Sequence, residues 1–452
     1  VSCSDKELHL ATVSARDSFN DGRWRKKTIS ERKSILLKFA DLIEKDSHHL
    51  ALLDTLSMGK SISQTLGNDL PLSIECMRWY AESIDKIYGD TIPTDYNSIG
   101  YISMEPVGVV GLITPWNYPM ENISWKISPA LASGNSVILK PAEQSSFSAI
   151  RVAELAVEAG IPDGVFNVLP GRGKEVGRLL SLHNDVECVS FTGSTSVGRK
   201  ILQYSAKSNL KKVALECGGK SAFIVLNSCS NIDSAVKALA KNIFINQGQT
   251  CSAPSRLIIE SGIYNIFLDR LLMEVDKYVP KNPLDSDSIV GSMVSKDQLD
   301  LVMKYIEIGR LQGAELAAGG EAAYPVKGGY YCKPTIFLNV NRSMKIAQEE
   351  IFGPVLSVIK ASSISEIINI ANDSIYGLSA SIWGENINVI QKISRDLKVG
   401  TVFVNNYGGD NIAAPFGGYK QSGNGSKDKS LEAFNVYTQR KTIWIEIDQD
   451  II

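Results

Sequence analysis

Between residues 107 and 206, short apolar runs and amphipathic stretches alternate so regularly that few folds remain open. Residues 107–113, 136–140, 165–169 and 188–191 read as strands. Residues 125–132, 149–159, 174–180 and 197–206 read as helices, with Gly160 as a C-cap. Consecutive strands separated by helices must be joined by crossovers, which makes them parallel and the region doubly wound. A second series follows: strands 222–226, 256–260, 355–360 and 401–405, with helices 232–245, 266–275, 296–312 and 363–371. The fold class expected is therefore α/β, with two doubly wound parallel-sheet domains. Ahead of them, residues 6–59 and 72–88 have helical spacing, with Gly89 as a stop. The tail 436–447 alternates through Thr442, Ile443, Trp444, Ile445 and Glu446, and such a terminal strand is expected to pair with another subunit.

Composition narrows the function classes. A length of 452 residues suits roughly two to four domains. Lys plus Arg is 47 and Asp plus Glu is 49, so the net charge of −2 gives no electrostatic case for nucleic acid or an anionic membrane. The 7 cysteines are odd in number and form no C-x-x-C pair, which favours reduced thiols in a cytoplasmic setting. None of the 4 histidines has zinc-ligand spacing, so no metal is expected. No apolar run reaches membrane-spanning length. The chain begins at Val1 without Met, so the natural N-terminus is expected upstream and a removed targeting segment stays open.

Two glycine-rich turns are weak signals. Gly171-Arg172-Gly173-Lys174-Glu175-Val176-Gly177 is one residue too long for the dinucleotide fingerprint. Gly193-Ser194-Thr195-Ser196-Val197-Gly198 mimics a P-loop, but Arg199 and Lys200 stand where Lys and Ser/Thr are required. Backbone N–H groups at that helix start can still hold a phosphate, although a structural turn explains the loop equally well.

The segment Asn246-Gln247-Gly248-Gln249-Thr250-Cys251-Ser252 is more telling. Cys188 has apolar neighbours, as a core cysteine does, whereas Cys251 sits among small and polar residues. An accessible cysteine flanked by backbone N–H groups meets the conditions for a thiolate nucleophile. Here the chain resembles the NAD(P)-dependent aldehyde dehydrogenase superfamily. The resemblance is carried by Pro115-Trp116-Asn117-Tyr118-Pro119, Lys140-Pro141-Ala142-Glu143, Phe191-Thr192-Gly193-Ser194 and Leu215-Glu216-Cys217-Gly218-Gly219-Lys220. Gln247-Gly248-Gln249-Thr250-Cys251, Glu349-Glu350-Ile351-Phe352-Gly353-Pro354 and Pro415-Phe416-Gly417-Gly418-Tyr419-Lys420 complete it, in the family's order.

The resemblance implies oxidation of an aldehyde to a carboxylic acid, with hydrolysis rather than transfer to coenzyme A. It assigns Cys251 as nucleophile, Glu216 as the base that activates water, and Lys126 as a proton relay. The Asn117 amide and the Cys251 backbone N–H would stabilise the oxyanion, a single such donor being worth ~3 kcal/mol. The cofactor implied is NAD, because Glu143 would accept from the ribose 2′-hydroxyl and repel a phosphate. NADP is also admitted, because Lys140 can meet one. Trp116 and Ser194 would contact the pyrophosphate, Val197 the adenine, and Glu350 and Phe352 the nicotinamide end. Ile113, Asn117, Ala142, Gly173 and Gly193 complete the implied cofactor contacts. Cys217 reads as a packing residue beside Glu216.

The implied organisation is a NAD-binding domain from 1–88 and 107–216, a catalytic domain from 217–433, and an oligomerisation arm from 89–106 and 434–452. A homodimer or homotetramer is expected, with a small-molecule aldehyde as the other partner. The resemblance also implies an N-terminal β-hairpin ahead of the first long helix, upstream of Val1.

Tyr118, Trp125 and the loop after Asn405 should line the substrate tunnel, with Asp69 and Asp410 near its mouth. Trp125 stands where an arginine would pair a substrate carboxylate, which counts against succinate semialdehyde. An aromatic lining instead suits an apolar chain or an ammonium group. Glu121 reads as a solvated surface carboxylate. The stretches Asn405-Asn406-Tyr407, Gln421-Ser422-Gly423-Asn424-Gly425 and Asp428-Lys429-Ser430-Leu431 resemble the polyamine-catabolic branch. The substrate expected is therefore an aminoaldehyde such as γ-aminobutyraldehyde or its γ-glutamyl conjugate. The alternatives are a broad-range aldehyde dehydrogenase and a catalytically silent structural relative.

Overall fold

The structure is a computed structural model that describes residues 2–409 and 411–447. Its first sheet has five parallel strands in the spatial order Phe166–Val168, Ser136–Lys140, Val109–Ile113, Cys188–Thr192, Lys212–Glu216. The chain starts in the middle of this sheet, winds to one edge, then returns to fill the other. That reversal leaves a crevice at the carboxyl ends of the strands beside Val109–Ile113, where doubly wound sheets bind ligands. One face is covered by helices Ile29–Lys45, Leu70–Glu82, Pro119–Ala132 and Phe147–Ala159. Leu8, Ala15, Leu180 and Ile201 pack on the other. Burial on both faces is why the three central strands are largely apolar and do not alternate.

The second sheet has seven strands in the order Glu315–Ala318, Thr335–Leu338, Val355–Ala361, Arg256–Glu260, Ala222–Val225, Ser379–Trp383, Thr401–Val404. Glu315–Ala318 pairs antiparallel and the other neighbours pair parallel, so the expected parallel sheet carries an antiparallel edge. Apolar layers cover both of its faces too. Residues 217–221 join the first sheet to the second, which puts Glu216 at their junction.

Several boundaries differ from expectation. The helix expected over 72–88 runs Leu70–Glu82, ends where Ser83 leaves helical geometry, and is followed by a 3-10 turn Ile84–Lys86. The helix expected from 125 begins at Pro119, since proline suits a first helical turn that needs no N–H. The run 107–113 divides at Gly108 (φ 134), a conformation that favours glycine. Residues 174–180 form a π turn, Gly173–Gly177, and then the helix Arg178–Leu182.

A third, antiparallel sheet joins Asp90–Ile92, Ser98–Pro106 and Thr438–Glu446. The terminal strand thus pairs first with its own chain, from Thr438 opposite Pro106 to Glu446 opposite Ser98. It lies at the edge of this sheet, and its outer side has no strand partner among the described residues. No described helix is long and apolar enough to cross a membrane.

Candidate active site

The helix Ile232–Phe244 ends in a 3-10 turn, Ile245–Gly248, that aims the cysteine segment at the gap between the two sheets. Asn246 and Gln247 both have φ 54, left-handed geometry that costs a non-glycine residue of order 1 kcal/mol or more. Buried amide hydrogen bonds offset that strain. Asn246 Nδ2 donates to Asn117 O at 3.0 Å, and Gln247 Nε2 to Gly291 O at 3.0 Å. Gln247 Oε1 accepts from Cys332 N, and Gln249 Oε1 from Val294 N, both at 3.1 Å. Gly248 is obligatory, because a Cβ there would lie 2.2 Å from Gly353 O. This fixed turn presents Cys251 to a cavity of about 850 Å³, which Asn117, Glu216, Glu350 and Phe352 also line.

Asn117 Nδ2 donates to Gln249 O at 2.9 Å, so the amide is held against the cysteine loop. The resting thiol is not the ready thiolate expected. Burial, with the carboxylates of Glu350 and Glu216, pushes Cys251 up to about 12, although N–H groups of Ser252 and Cys251 oppose them. The sequence context showed polar neighbours but could not show two carboxylates facing the sulfur. Cys217 is buried and does belong to the packing.

Glu216 ends the strand Lys212–Glu216 and is 4% exposed. Neither carboxylate oxygen has a partner in good hydrogen-bond geometry, although the Gly418 N–H favours the ionised form. Burial first, then the Asp428 charge, raises its carboxyl well above the usual range, while Lys126 and Lys427 pull it down. Lys126 Nζ donates to Asp428 Oδ2 at 2.9 Å and to Ser190 Oγ at 3.0 Å. Lys126 is buried behind the cavity wall, while Asp428 lines it. Asp428 was named in a C-terminal stretch without a role, and only the fold shows its link to Lys126.

The expected cofactor residues gather at the carboxyl edge of the five-stranded sheet. Ile113 and Lys140 end adjacent strands, and Gly193 follows a third. Ser194 caps the helix Thr195–Ala206, its Oγ accepting from Val197 N at 3.4 Å, and Val197 is exposed on the first turn. Glu143 Oε2 accepts from Gly173 N at 3.0 Å and lies 4.0 Å from Lys140 Nζ. Burial lowers the Lys140 ammonium, and Glu143 opposes that. Ala142 is buried beside them. At the cavity, the rings of Trp116 and Phe352 meet edge to face, centroids 5.3 Å apart. Glu350 Oε1 accepts from Gly219 N at 3.0 Å, and burial raises its carboxyl to about 7. These residues suit a dinucleotide: helix N–H groups and a glycine turn for phosphates, carboxylates for ribose hydroxyls, and rings beside the cysteine. Ile113, Lys140, Ala142, Glu143, Gly173 and Val197 lie outside the lining of the cysteine cavity, on the adjoining crevice.

Tyr118 and Trp125 line the cavity as expected, and Tyr118 Oη lies 2.9 Å from Thr250 Oγ1. Past Asn405, Tyr407, Gly408 and Gly409 line it too. Asp410 lies outside the described residues. Asp69 is 1% exposed and paired with Lys60, Nζ to Oδ2 at 2.5 Å. Glu121 is corrected: it is no surface carboxylate but 5% exposed and on the cavity wall. Its place two residues into the helix Pro119–Ala132, beside Lys60 and Asp69, brings it inward. Lys60 and Lys429 were missed as site residues, and nothing in the sequence around Lys60 distinguishes it from a solvated lysine.

The aldehyde dehydrogenase family matches residues 1–443. The NADP/NAD-dependent aldehyde dehydrogenase PuuC of Escherichia coli (strain K12) is 45% identical over 442 residues, 98% of this chain and 88% of the relative. The γ-glutamyl-γ-aminobutyraldehyde dehydrogenase of Burkholderia cenocepacia superposes with a TM-score of 0.97 at 47% identity, over 99% of this chain and 90% of the other. The P. syringae indole-3-acetaldehyde dehydrogenase AldA, solved as a mutant with NAD+ and IAA, superposes with a TM-score of 0.97 at 46% identity over the same shares. Sequence, fold and site converge: this chain belongs to the aldehyde dehydrogenase family.

Proposed function

We propose that this enzyme oxidises an aminoaldehyde to its carboxylic acid with NAD, through a covalent intermediate on Cys251. The observation that carries the reading is the convergence of Cys251, Asn117 and an unpartnered, buried Glu216 on one cavity. Glu216 takes the thiol proton, which the raised Cys251 thiol requires. The sulfur then forms a bond to the carbonyl carbon, and the carbonyl electron pair moves onto oxygen. Asn117 Nδ2 and the Cys251 backbone N–H are the donors for that oxyanion. A bound nicotinamide supplies the hydride acceptor that lets this adduct become a thioester. Asp428 and Lys126 carry the thiol proton away from Glu216, which is then free to remove a proton from water. The hydroxyl adds to the thioester carbon, and the carbon–sulfur bond breaks to release acid and thiolate.

The cofactor contacts are Trp116, Asn117, Gly193 and Ser194 at the crevice, Glu350 and Phe352 at the cavity, and Ile113, Lys140, Ala142, Glu143, Gly173 and Val197 at the adenosine side. Glu143 sets the preference for NAD, since its charge stands where a 2′-phosphate would come. Glu143→Ser is expected to raise kcat/KM with NADP relative to NAD by about tenfold, read from initial rates with each cofactor. The likeness to the γ-glutamyl-γ-aminobutyraldehyde dehydrogenase of Burkholderia cenocepacia supports the aminoaldehyde reading.

The segments 1–88 and 107–216 form the NAD-binding domain, 217–433 the catalytic domain, and 89–106 with 434–452 the arm that builds a homodimer or homotetramer. The open edge of Thr438–Glu446 and the exposed Trp444 support that arm. Seven unpaired cysteines support a cytoplasmic setting. A panel of aminoaldehydes, aliphatic aldehydes and aromatic aldehydes with NAD and with NADP tests the function. Preference for aminoaldehydes with NAD is expected, and a silent enzyme would contradict it.

A further inference from the structure

Three aromatic rings of the tunnel, Tyr118, Trp125 and Phe416, already hold cations. Lys429 Nζ lies 4.8 Å from the centroid of Trp125 and 5.8 Å from that of Phe416. Lys60 Nζ lies 3.6 Å from the centroid of Tyr118. A substrate ammonium approaching those rings meets like charge, so the cation–π seat expected from the sequence belongs to the protein's own lysines. Asp69 is occupied as well. Its Oδ2 takes Lys60 at 2.5 Å, and its Oδ1 accepts from Asn68 Nδ2 at 3.2 Å. Glu121 differs from these groups. It is 5% exposed and lines the cavity, and its Oε1 has no hydrogen-bond partner. Buried acceptors are nearly always satisfied, so an orphaned carboxylate oxygen on a substrate cavity marks the place of a missing donor.

We propose that the Glu121 carboxylate receives the N–H donors of the substrate's terminal ammonium, which makes Glu121 the residue that selects N–H-bearing ammonium aldehydes over trimethylammonium and uncharged ones. This rests on the aldehyde-oxidation reading and deepens it. A primary ammonium can donate to a carboxylate oxygen and gains a charge-assisted hydrogen bond. A trimethylammonium has no N–H to give and depends on aromatic faces, and those of Tyr118, Trp125 and Phe416 are covered by Lys60 and Lys429. An uncharged chain leaves Glu121 orphaned. Burial and the Asp69 charge hold the Glu121 carboxyl well above its usual range, and Lys60 and Lys429 oppose that. An arriving ammonium adds to the side of the lysines and favours the ionised carboxylate.

The test compares kcat/KM for 4-aminobutanal, 4-trimethylammoniobutanal and pentanal, with NAD, in the wild type, Glu121→Gln and Glu121→Leu. The wild type is expected to prefer 4-aminobutanal to both others. In Glu121→Leu the ratio of 4-aminobutanal to pentanal should fall at least about tenfold, and Glu121→Gln, which keeps an acceptor but not the charge, should fall between. A ratio unchanged in Glu121→Leu, with both substrates slowed alike, would overturn the assignment. So would a wild type that prefers 4-trimethylammoniobutanal, a comparison that needs no variant to fold. A wild type that turns over pentanal well and 4-aminobutanal poorly overturns the role of Glu121 and leaves aldehyde oxidation standing. One that forms no NADH with any of the three overturns both.

Discussion

Cys251→Ala is expected to abolish aldehyde-dependent NADH formation, a loss of at least about 10⁴-fold, with the folded state preserved. Cys217 also lines this cavity, and burial first, then the Glu216 charge, pushes its thiol likewise up to about 12, but its sulfur is packed against the helix holding Gly198 and is not expected to replace Cys251. Cys251 already borders an open cavity, so its truncation creates little new void, and melting temperature should change by no more than a few degrees. Initial rates and a melting curve on the two proteins check this. The same experiment addresses the catalytically silent alternative, since a silent wild type would make the substitution inconsequential.

Glu216→Gln should divide the reaction. Without a base for water, steady turnover falls by about 10²–10⁴-fold. The first NADH of each site still forms, but slowly, because the Cys251 thiol, still raised by burial and by Glu350, has lost its proton acceptor. Raising the pH should speed that first turnover, since each unit increases the thiolate fraction about tenfold while it stays small, and should restore steady turnover far less. The variant should also be the more stable protein. The Glu216 carboxyl is raised by folding, so at pH values above its unfolded value the folded wild type binds the extra proton. Wild-type stability therefore declines as pH rises through that window, and the glutamine, which does not titrate, escapes the decline. The stability difference should widen as pH rises above the ordinary carboxylate range, read by denaturant unfolding at each pH. A wild type at least as stable as the variant throughout would show that Glu216 is not held against its charge.

Much of this was legible in the sequence because it is written in local pattern. The runs at 136–140 and 188–191 are apolar enough to be strands buried on both faces, and the polar setting of Cys251 marked it out from Cys188. Other strands escaped notice for a physical reason. Lys212–Glu216 and Ser379–Trp383 are short, and small or polar residues interrupt their apolar pattern, so no period emerges. The helix Ile387–Asp396 was missed although Asn386 caps it. Charges were the least legible part. Glu121 looked solvated because a single carboxylate in a helix usually is, and only tertiary packing shows Lys60, Asp69 and Lys429 around it. The raised Cys251 thiol has the same origin, since Glu216 and Glu350 reach it from segments distant in the chain.

If acyl transfer passes through Cys251 and release depends on Glu216, the acyl-enzyme should accumulate in Glu216→Gln. Intact mass and peptide mapping of that variant, quenched after incubation with NAD and 4-aminobutanal, are expected to find one acyl group per chain on the peptide that contains Cys251, absent when Cys251→Ala is added. An unmodified chain that has nonetheless formed NADH, or an adduct carried by Cys217, would contradict this route.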